Sequence, residues 1–577
     1  MAAPGIDSVE PGARIFVWGV WAALLLFDLG LIVRFGPDLP VGDDFDVVAV
    51  VTRARPATLQ WLWSQHNEHR VPLPRLILLG LYRLSGYDFR AGMFWSVATL
   101  AALAGATLAV ADRRRGARSS DAVFPLLLLG PGNYANLLWS WQVQFVFGTV
   151  LIGSVLLLIV AHSGWPEPGR AALAGAALAA LPLCGANGLI AVPALALWLL
   201  AASAAHARSG RPDGQRTAVL VLAATLPAVL LAGLYVAGYH RAEHHPGAPG
   251  VAEALRTSLQ FLSLVFGPSA RVFWPASGIL ALALTAGSAL LVARAALVGP
   301  APERPRALGL ACVFAAFGTL VLTIGWGRSG SGERAGFEVR YVTLVAPLGC
   351  ALVFAWHLYA TPVLRRLEPS CIFAATLVLL WPNTQEALDH ARTLNRQASE
   401  FTRAVREGVP MHMLIRRFPF LHPSHDELTT ELPALRQARI GVFAELRDNG
   451  MLREVAVPLA PAGVRMGRWE NGTVYINGVD PLIHFILPEA IRVAGIRIAY
   501  THANRAGGPA RFVFLWSSRS HQRPNADQRY ANWALPTGRN RTTTIWLGDT
   551  VKEFWIQPDN QLCEFTIVKL DLLVPEP

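Results

Sequence analysis

The strongest constraint on this chain is the uneven placement of its charges. Long stretches almost free of charge crowd the first 382 of its 577 residues and disappear afterwards. A bilayer crossing needs about 20 consecutive, mostly apolar residues. Segments 15–33, 91–111, 121–141, 142–162, 169–184, 187–205, 216–238, 272–298, 308–326, 341–360 and 364–382 meet or approach that requirement. Charged residues make up only 15% of the chain, against about 25% in soluble domains. A wholly soluble protein is excluded. The pattern predicts a polytopic α-helical membrane protein of about eleven transmembrane helices with a water-soluble tail.

Orientation follows from the short loops, because cytoplasmic loops gather Arg and Lys. The first apolar segment follows Arg14 and lacks a small-residue cleavage site, so it reads as a permanent anchor with its N-terminus inside. Arg113, Arg114, Arg115 and Arg118, then Arg208, Arg211 and Arg216, then Arg294, Arg304 and Arg306, then Arg365 and Arg366 all fall on that inner side. Residues 71–84 are apolar but short and proline-broken, and fit a helix lying at the outer interface. Loops 34–90, 239–271 and 327–340 then face outward, with the tail from 383. The expected location is a bacterial cytoplasmic membrane, N-terminus cytoplasmic and C-terminal domain periplasmic or extracellular. Heavy Arg, Ala, Gly and Pro usage fits a GC-rich bacterial genome.

The tail divides in two. Residues 384–407 and 425–447 have the apolar spacing of amphipathic helices, broken at Pro410, Pro419 and Pro423. From about 453 the pattern becomes short strands rich in Val, Ile, Phe and Trp, as in a β-sandwich or jelly roll. The expected domains are 1–382 in the membrane with its first outer loop 34–90, a helical linker 383–452, and a sheet domain 453–577. Trp516, Trp533, Trp546 and Trp555 serve that sheet either as core or as a glycan-binding surface. The net charge of +11 is nearly all arginine and does not cluster as a nucleic-acid footprint does. Of five cysteines, only Cys563 lies away from the apolar segments, so no disulfide framework holds the tail.

The first outer loop carries the densest chemistry. Asp43, Asp44 and Asp46 follow the end of a membrane helix, where carboxylates can act as a general base or hold a divalent cation; a solvated Asx turn is the plainer reading. The run His66-Asn67-Glu68-His69-Arg70 is not a zincin motif, whose histidines stand one helical turn apart around His-Glu-x-x-His. It fits a polar cluster that hydrogen-bonds a sugar or phosphate, or a local structural pin. Arg328, Arg334 and Arg340, with Arg241 beside His240, His244 and His245, form a second set suited to gripping a phosphate. Arg340-Tyr341 stands where an outer loop enters a helix, at lipid-headgroup depth. Within residues 133–144, Trp139 and Gln142 could form a sugar platform or an aromatic belt. Asp28 lies inside the first span and is set apart from this site.

These pieces together resemble the GT-C superfamily of integral-membrane glycosyltransferases. The likeness rests on the N-in anchor, the acidic opening of the first outer loop, and the run Trp63-Ser64-Gln65-His66-Asn67-Glu68-His69-Arg70 with Pro74-Arg75-Leu76 after it. Gly327-Arg328 followed by Arg340-Tyr341 is similar too, and the strand-rich tail resembles the carbohydrate-binding-like domains of some arabinosyltransferases. The resemblance implies an inverting transferase for hexosyl or pentosyl groups. Its donor would be a polyprenyl-phosphate-linked sugar, its acceptor an envelope glycan, glycolipid or protein, and its catalytic carboxylate Asp43 or Asp44, with Asp46 as a third contender. His66, Glu68, His69, Arg70, Arg328, Arg340 and Tyr341 would bind the donor. No cofactor is required by the sequence, and Mg or Mn is compatible with the acidic loop. A transporter or flippase for a lipid-linked glycan predicts internal repeats and charges along the bundle interior; a non-catalytic envelope scaffold predicts a bare first loop. Apart from Asp28 the spans are nearly free of charge, no repeat is found, and the first loop is dense in acidic and histidine residues.

Overall fold

The computed structural model describes residues 12–240, 246–478, 480–504, 510–517 and 526–576. Arg241, His244 and His245 lie outside them. The chain divides into two compact units: described residues within Met1–Asp38, Ala57–Arg241 and His245–Asn395, and those within Leu39–Pro56 and Arg396–Pro577. Residues 39–56, part of the first loop, thus cluster with the tail.

The first unit is a helical bundle. Among the described residues, eight helices are long and apolar enough to cross a bilayer: Ala13–Phe35, Ala91–Arg115, Ser140–Ala161, Ala186–Ala207, Gly214–Val236, Ala276–Val298, Arg304–Ser331 and Val339–Tyr359. This is a multi-pass membrane protein. Val339–Tyr359 has 89% of its apolar window buried and runs through the middle, whereas Gly214–Val236 has 22% and lies at the periphery. Leu226, Leu230 and Leu234 on the latter stand exposed along one helical stripe, an apolar face suited to lipid.

The other three expected spans are built differently. Residues 121–141 form the helix Val123–Leu129, a turn at Pro131–Asn133, and the helix Tyr134–Leu137. Gly130-Pro131 interrupts them, because proline has no N–H to continue the ladder. The exposed carbonyls find a donor in Asn133, whose Nδ2 reaches Leu127 O and Leu128 O at 3.3 Å. Residues 169–184 are one short apolar stretch, Pro168–Cys184. Residues 364–382 open a 43-residue helix, Leu364–Arg406, that continues into the stretch expected as a separate amphipathic helix. The loop 71–84 is the 13-residue helix Pro72–Leu84, too short to cross.

Two ends of the bundle can be told apart from its cross-links. At one, Arg114 donates to Ala161 O (3.4 Å), Arg306 to His162 O (2.8 Å), and Trp198 to Pro305 O (3.1 Å). This end collects the arginine-rich turns. The opposite end collects the termini Phe35, Ala91, Ala186, Val236, Ala276 and Val342.

Among the described residues, the second unit combines the helices Phe45–Val51, Met411–Arg417 and His425–Gln437 with an all-antiparallel network of nine strands. Strands Leu482–Asn504 and Gly538–Gln557 pair along most of their length, with register shifts at Trp546/Asp549 and Val551/Glu553. Such bulges bend long strands. Alternate residues, among them Ile496, Ile498 and Tyr500 with Phe512, Phe514 and Trp516, fill the core. The helix His425–Gln437 docks through side chains: Asp426 accepts from Thr543 Oγ1 (2.6 Å) and Thr544 N (2.9 Å), and Trp546 Nε1 donates to Thr429 Oγ1 (2.8 Å). Trp516 lies under Arg416, 5.3 Å from ring centre to guanidinium carbon. Trp516 and Trp546 are therefore packing residues. Trp555 stacks on His484 at 4.7 Å, and the side chain of Trp533 lies outside the described residues.

Candidate active site

In the helical unit the site begins with a two-residue hairpin. Gln65–His66 and His69–Arg70 pair antiparallel, Gln65 opposite Arg70 and His66 opposite His69. Asn67, at φ 49, supplies the left-handed turn residue, a conformation asparagine adopts more readily than most. Directly opposed residues share a face, so His66 and His69 point together. His66 packs on Trp141 at 4.9 Å and His69 on Phe145 at 6.0 Å. His69 Nδ1 also accepts the N–H of Ala186 at 3.2 Å. Gly185, at φ 120, lets the ring approach so closely; a Cβ there would lie 3.3 Å from Nδ1.

Glu68, at the tip, forms an ion pair with Arg328 and lies 3.5 Å from His69 Nε2. Arg328 ends the helix Arg304–Arg328, while Tyr341 precedes Val342–Tyr359. Tyr341 packs against Phe145 (6.4 Å) and Phe261 (5.9 Å), and Arg340 covers its ring at 5.9 Å. The fold thus gathers His66, Glu68, His69, Arg328, Arg340 and Tyr341 at the bundle end opposite the arginine-rich turns.

The arginines at this end differ in what they have left to give. Arg70 donates to Tyr235 O (3.3 Å), Trp63 O (2.8 Å), Ala237 O (3.2 Å) and Gly238 O (2.9 Å). Its guanidinium caps the end of Gly214–Val236, where helical carbonyls lack partners. Arg75 is similarly engaged by Trp61 O, Leu62 O and Ser64 O. Arg340 remains 33% exposed, with Glu338 no closer than 3.9 Å. Its guanidinium is available to an anion. Arg334 is exposed.

Beside His66 runs a buried polar strip. Asn136 and Gln142 are fully buried, and neither side-chain amide finds a hydrogen-bond partner among the described residues; Trp141 Nε1 and Gln144 Oε1 are in the same position. Leaving such groups unmet costs about 1–3 kcal/mol each. Ordered water or the hydroxyls of a bound molecule would satisfy them. Trp139 is half-buried at the edge of this strip.

Sequence reasoning missed a second ionic group at this end. Glu386 pairs with Arg271 (3.0 Å) and accepts from Tyr134 OH (2.9 Å) and Ser269 Oγ (3.4 Å). His390 lies 4.9 Å from the Tyr134 ring. The available signal was positional: Arg271 and Glu386 are charges placed just beyond apolar runs.

The three aspartates belong to the second unit. Gly42–Asp44 is a tight 3-10 turn, with Gly42 at φ 55 and its N–H bonded to Leu421 O (2.5 Å). Asp44 is 1% exposed, and one oxygen accepts from Val41 N at 3.1 Å. Asp43 and Asp46 are half-buried. A divalent cation at this turn would draw chiefly on those two. The following helix Phe45–Val51 is buried almost throughout, with the Phe45 ring 5.7 Å from His422. Within this unit Glu431 is 4% exposed. Burial, reinforced by Glu427 and opposed by Arg55, pushes its carboxyl up to about 7. It was not apparent in the sequence.

No family model matches the chain, and no curated protein matches it. Among solved structures it is similar to ArnT from Cupriavidus metallidurans bound to undecaprenyl phosphate, at 16% identity over 76% of each chain and a TM-score of 0.36. It is also similar to arabinosyltransferase EmbB from Mycobacterium smegmatis, at 12% identity over all of this chain and 66% of that one, TM-score 0.30. Mycobacterial arabinofuranosyltransferase AftD gives 14% identity over 99% of this chain and 63% of that one, TM-score 0.31. The functional reading rests on the chain's own residues.

Proposed function

We propose that this protein is a GT-C-type membrane glycosyltransferase, transferring a sugar from a polyprenyl-phosphate-linked donor to an envelope acceptor on the outer side of the cytoplasmic membrane. One observation carries the reading. Ionic and amide groups converge at the bundle end that lacks the arginine-rich turns, where the positive-inside rule puts the exterior. A site there has no supply of nucleotide sugars, whereas a lipid carrier presents its phosphate at headgroup depth.

The anion role falls to Arg340, whose donors are open, with Arg328 held by Glu68. The amides of Asn136, Gln142 and Gln144 suit sugar hydroxyls, which both donate and accept. Deprotonation falls to the Asp43–Asp44 doublet, the position that the family resemblance carries over, and within it to Asp43, because Asp44 is 1% exposed. The acceptor hydroxyl gives its proton to the carboxylate as its oxygen attacks the anomeric carbon. The bond to the lipid phosphate breaks, the phosphate keeps the electron pair, and arginine stabilises the developing charge. Attack from the face opposite the leaving group inverts the anomeric centre.

Mass spectrometry of envelope glycans and lipid-linked sugars in a deletion strain tests this. Transfer predicts a missing sugar branch and accumulated polyprenyl-phosphate sugar on the outer leaflet. Accumulation confined to the inner leaflet would instead mark a flippase and end the proposal.

A further inference from the structure

We infer that the C-terminal sheet carries a transition-metal site, with zinc as the best-matched ion, formed by His502, Asp559 and Cys563. The proposal is independent of the transferase reading. Cys563 is the one cysteine outside the apolar segments, and its surroundings account for it.

Strand register brings the three together. Phe565 stands opposite His502, and Cys563 opposite Asn504. Residues two apart on a strand share a face, so His502, Asn504, Cys563 and Phe565 point to one side. Asp559 enters from the connection between strands Gly538–Gln557 and Cys563–Pro575. Ligand atoms of His502, Asp559 and Cys563 lie within 4.8 Å of one another. All three are buried, at 1%, 0% and 7% exposure.

Hydrogen bonding accounts for the Asp559 carboxylate but leaves the buried His502 ring unexplained. His502 Nε2 is 3.6 Å from Asp559 Oδ2, beyond a hydrogen bond. Neither ring nitrogen has another partner among the described residues. Tetrahedral zinc would hold nitrogen and oxygen ligands about 3.3 Å apart, given bonds of roughly 2.0–2.1 Å, which is close to the separation seen; the thiolate would be drawn inward. Asp559 is already oriented by donors around it: Asn560 N (2.8 Å), Arg511 N (3.2 Å), Asn504 Nδ2 (3.2 Å) and Gln561 Nε2 (3.1 Å). Such outer hydrogen bonds are what fix a carboxylate ligand in place. An imidazole, a carboxylate and a thiolate match zinc; calcium and magnesium prefer all-oxygen sets. A water completes the fourth position. The ion would tie the last strand and its preceding turn to the strand Leu482–Asn504, the work a disulfide does in other exported domains.

The test uses the full chain, purified in detergent through a histidine-free tag without chelator. Elemental mass spectrometry should find about one zinc per chain. His502→Ala and Cys563→Ser should each lower that content roughly tenfold or more. Cobalt(II), loaded after chelation, should give a thiolate-to-metal charge-transfer band that Cys563→Ser abolishes. The wild-type cobalt spectrum decides the matter even where a variant fails to fold. Absence of both zinc and the cobalt band, zinc retained in both variants, or stoichiometric calcium in place of zinc would each overturn the assignment.

Discussion

Arg70 and Arg340 reach the same end of the helical unit from different loops, and they have opposite fates. Arg70, on the hairpin, is 7% exposed and spends its guanidinium on carbonyls at the end of Gly214–Val236. Arg340, in the turn before Val342–Tyr359, covers a tyrosine ring and stays one-third exposed. The acidic turn shows a related contrast in burial: Asp44 is 1% exposed and accepts from Val41 N, while Asp43 is half-buried. A charge whose bonding capacity is used internally supports structure; one with capacity left is equipped to bind. Residue type does not distinguish them, and neither does position in a motif.

Four measurements can break or sharpen that distinction. The largest effect is expected at Asp43: Asp43→Asn should slow release of polyprenyl phosphate from the donor by ~10²–10⁴, the usual loss for a general base, with thermal unfolding unchanged. Full activity in this variant removes Asp43 from the chemistry. Next, Arg340→Ala should lower the rate by about 10²–10³ without moving the melting temperature, and Arg340→Lys should recover part of it, because an ammonium still neutralises phosphate without the bidentate grip. Arg70→Ala should do the reverse, costing about 1–3 kcal/mol of stability through its abandoned carbonyls; unaltered unfolding together with lost transfer would place Arg70 with Arg340.

The smallest effect concerns Glu431. Its carboxyl is raised from 4.5 to about 7 in the folded state, so folding favours the protonated form. That contribution is complete below pH 4.5 and is lost as pH rises through 7. Relative to Glu431→Gln, the wild type should lose several degrees of melting temperature between pH 5 and pH 8, since a shift from 4.5 to about 7 corresponds to roughly 2 kcal/mol over that interval. Parallel pH profiles in the two proteins would show that Glu431 titrates normally.

Much of the architecture was legible because bilayer and sheet impose simple periodicities. Eight of the expected spans coincide with long apolar helices, since hydrocarbon leaves the backbone no partner but itself. Gly130-Pro131 marked a break that hydropathy alone passes over, and the helix Leu364–Arg406 ran through the boundary drawn at 382 because Pro382 does not end it. The hairpin residues stood out as a dense polar run between apolar segments. Glu386 with Arg271, and Glu431, did not, because each is a lone charge in local sequence and gains meaning only from partners far along the chain.

By itself, the sequence determined that the chain crosses a membrane repeatedly, that its arginines favour one side, that its tail is strand-rich, and which loops hold reactive groups. These are local or additive properties, summed over windows of a few to about twenty residues. Only the tertiary structure decided which charges are consumed internally and which remain open, that residues 39–56 cluster with the tail, and that a histidine, an aspartate and a cysteine meet inside the sheet. Those outcomes depend on burial and on the pairing of groups distant in sequence, and no local window contains both partners.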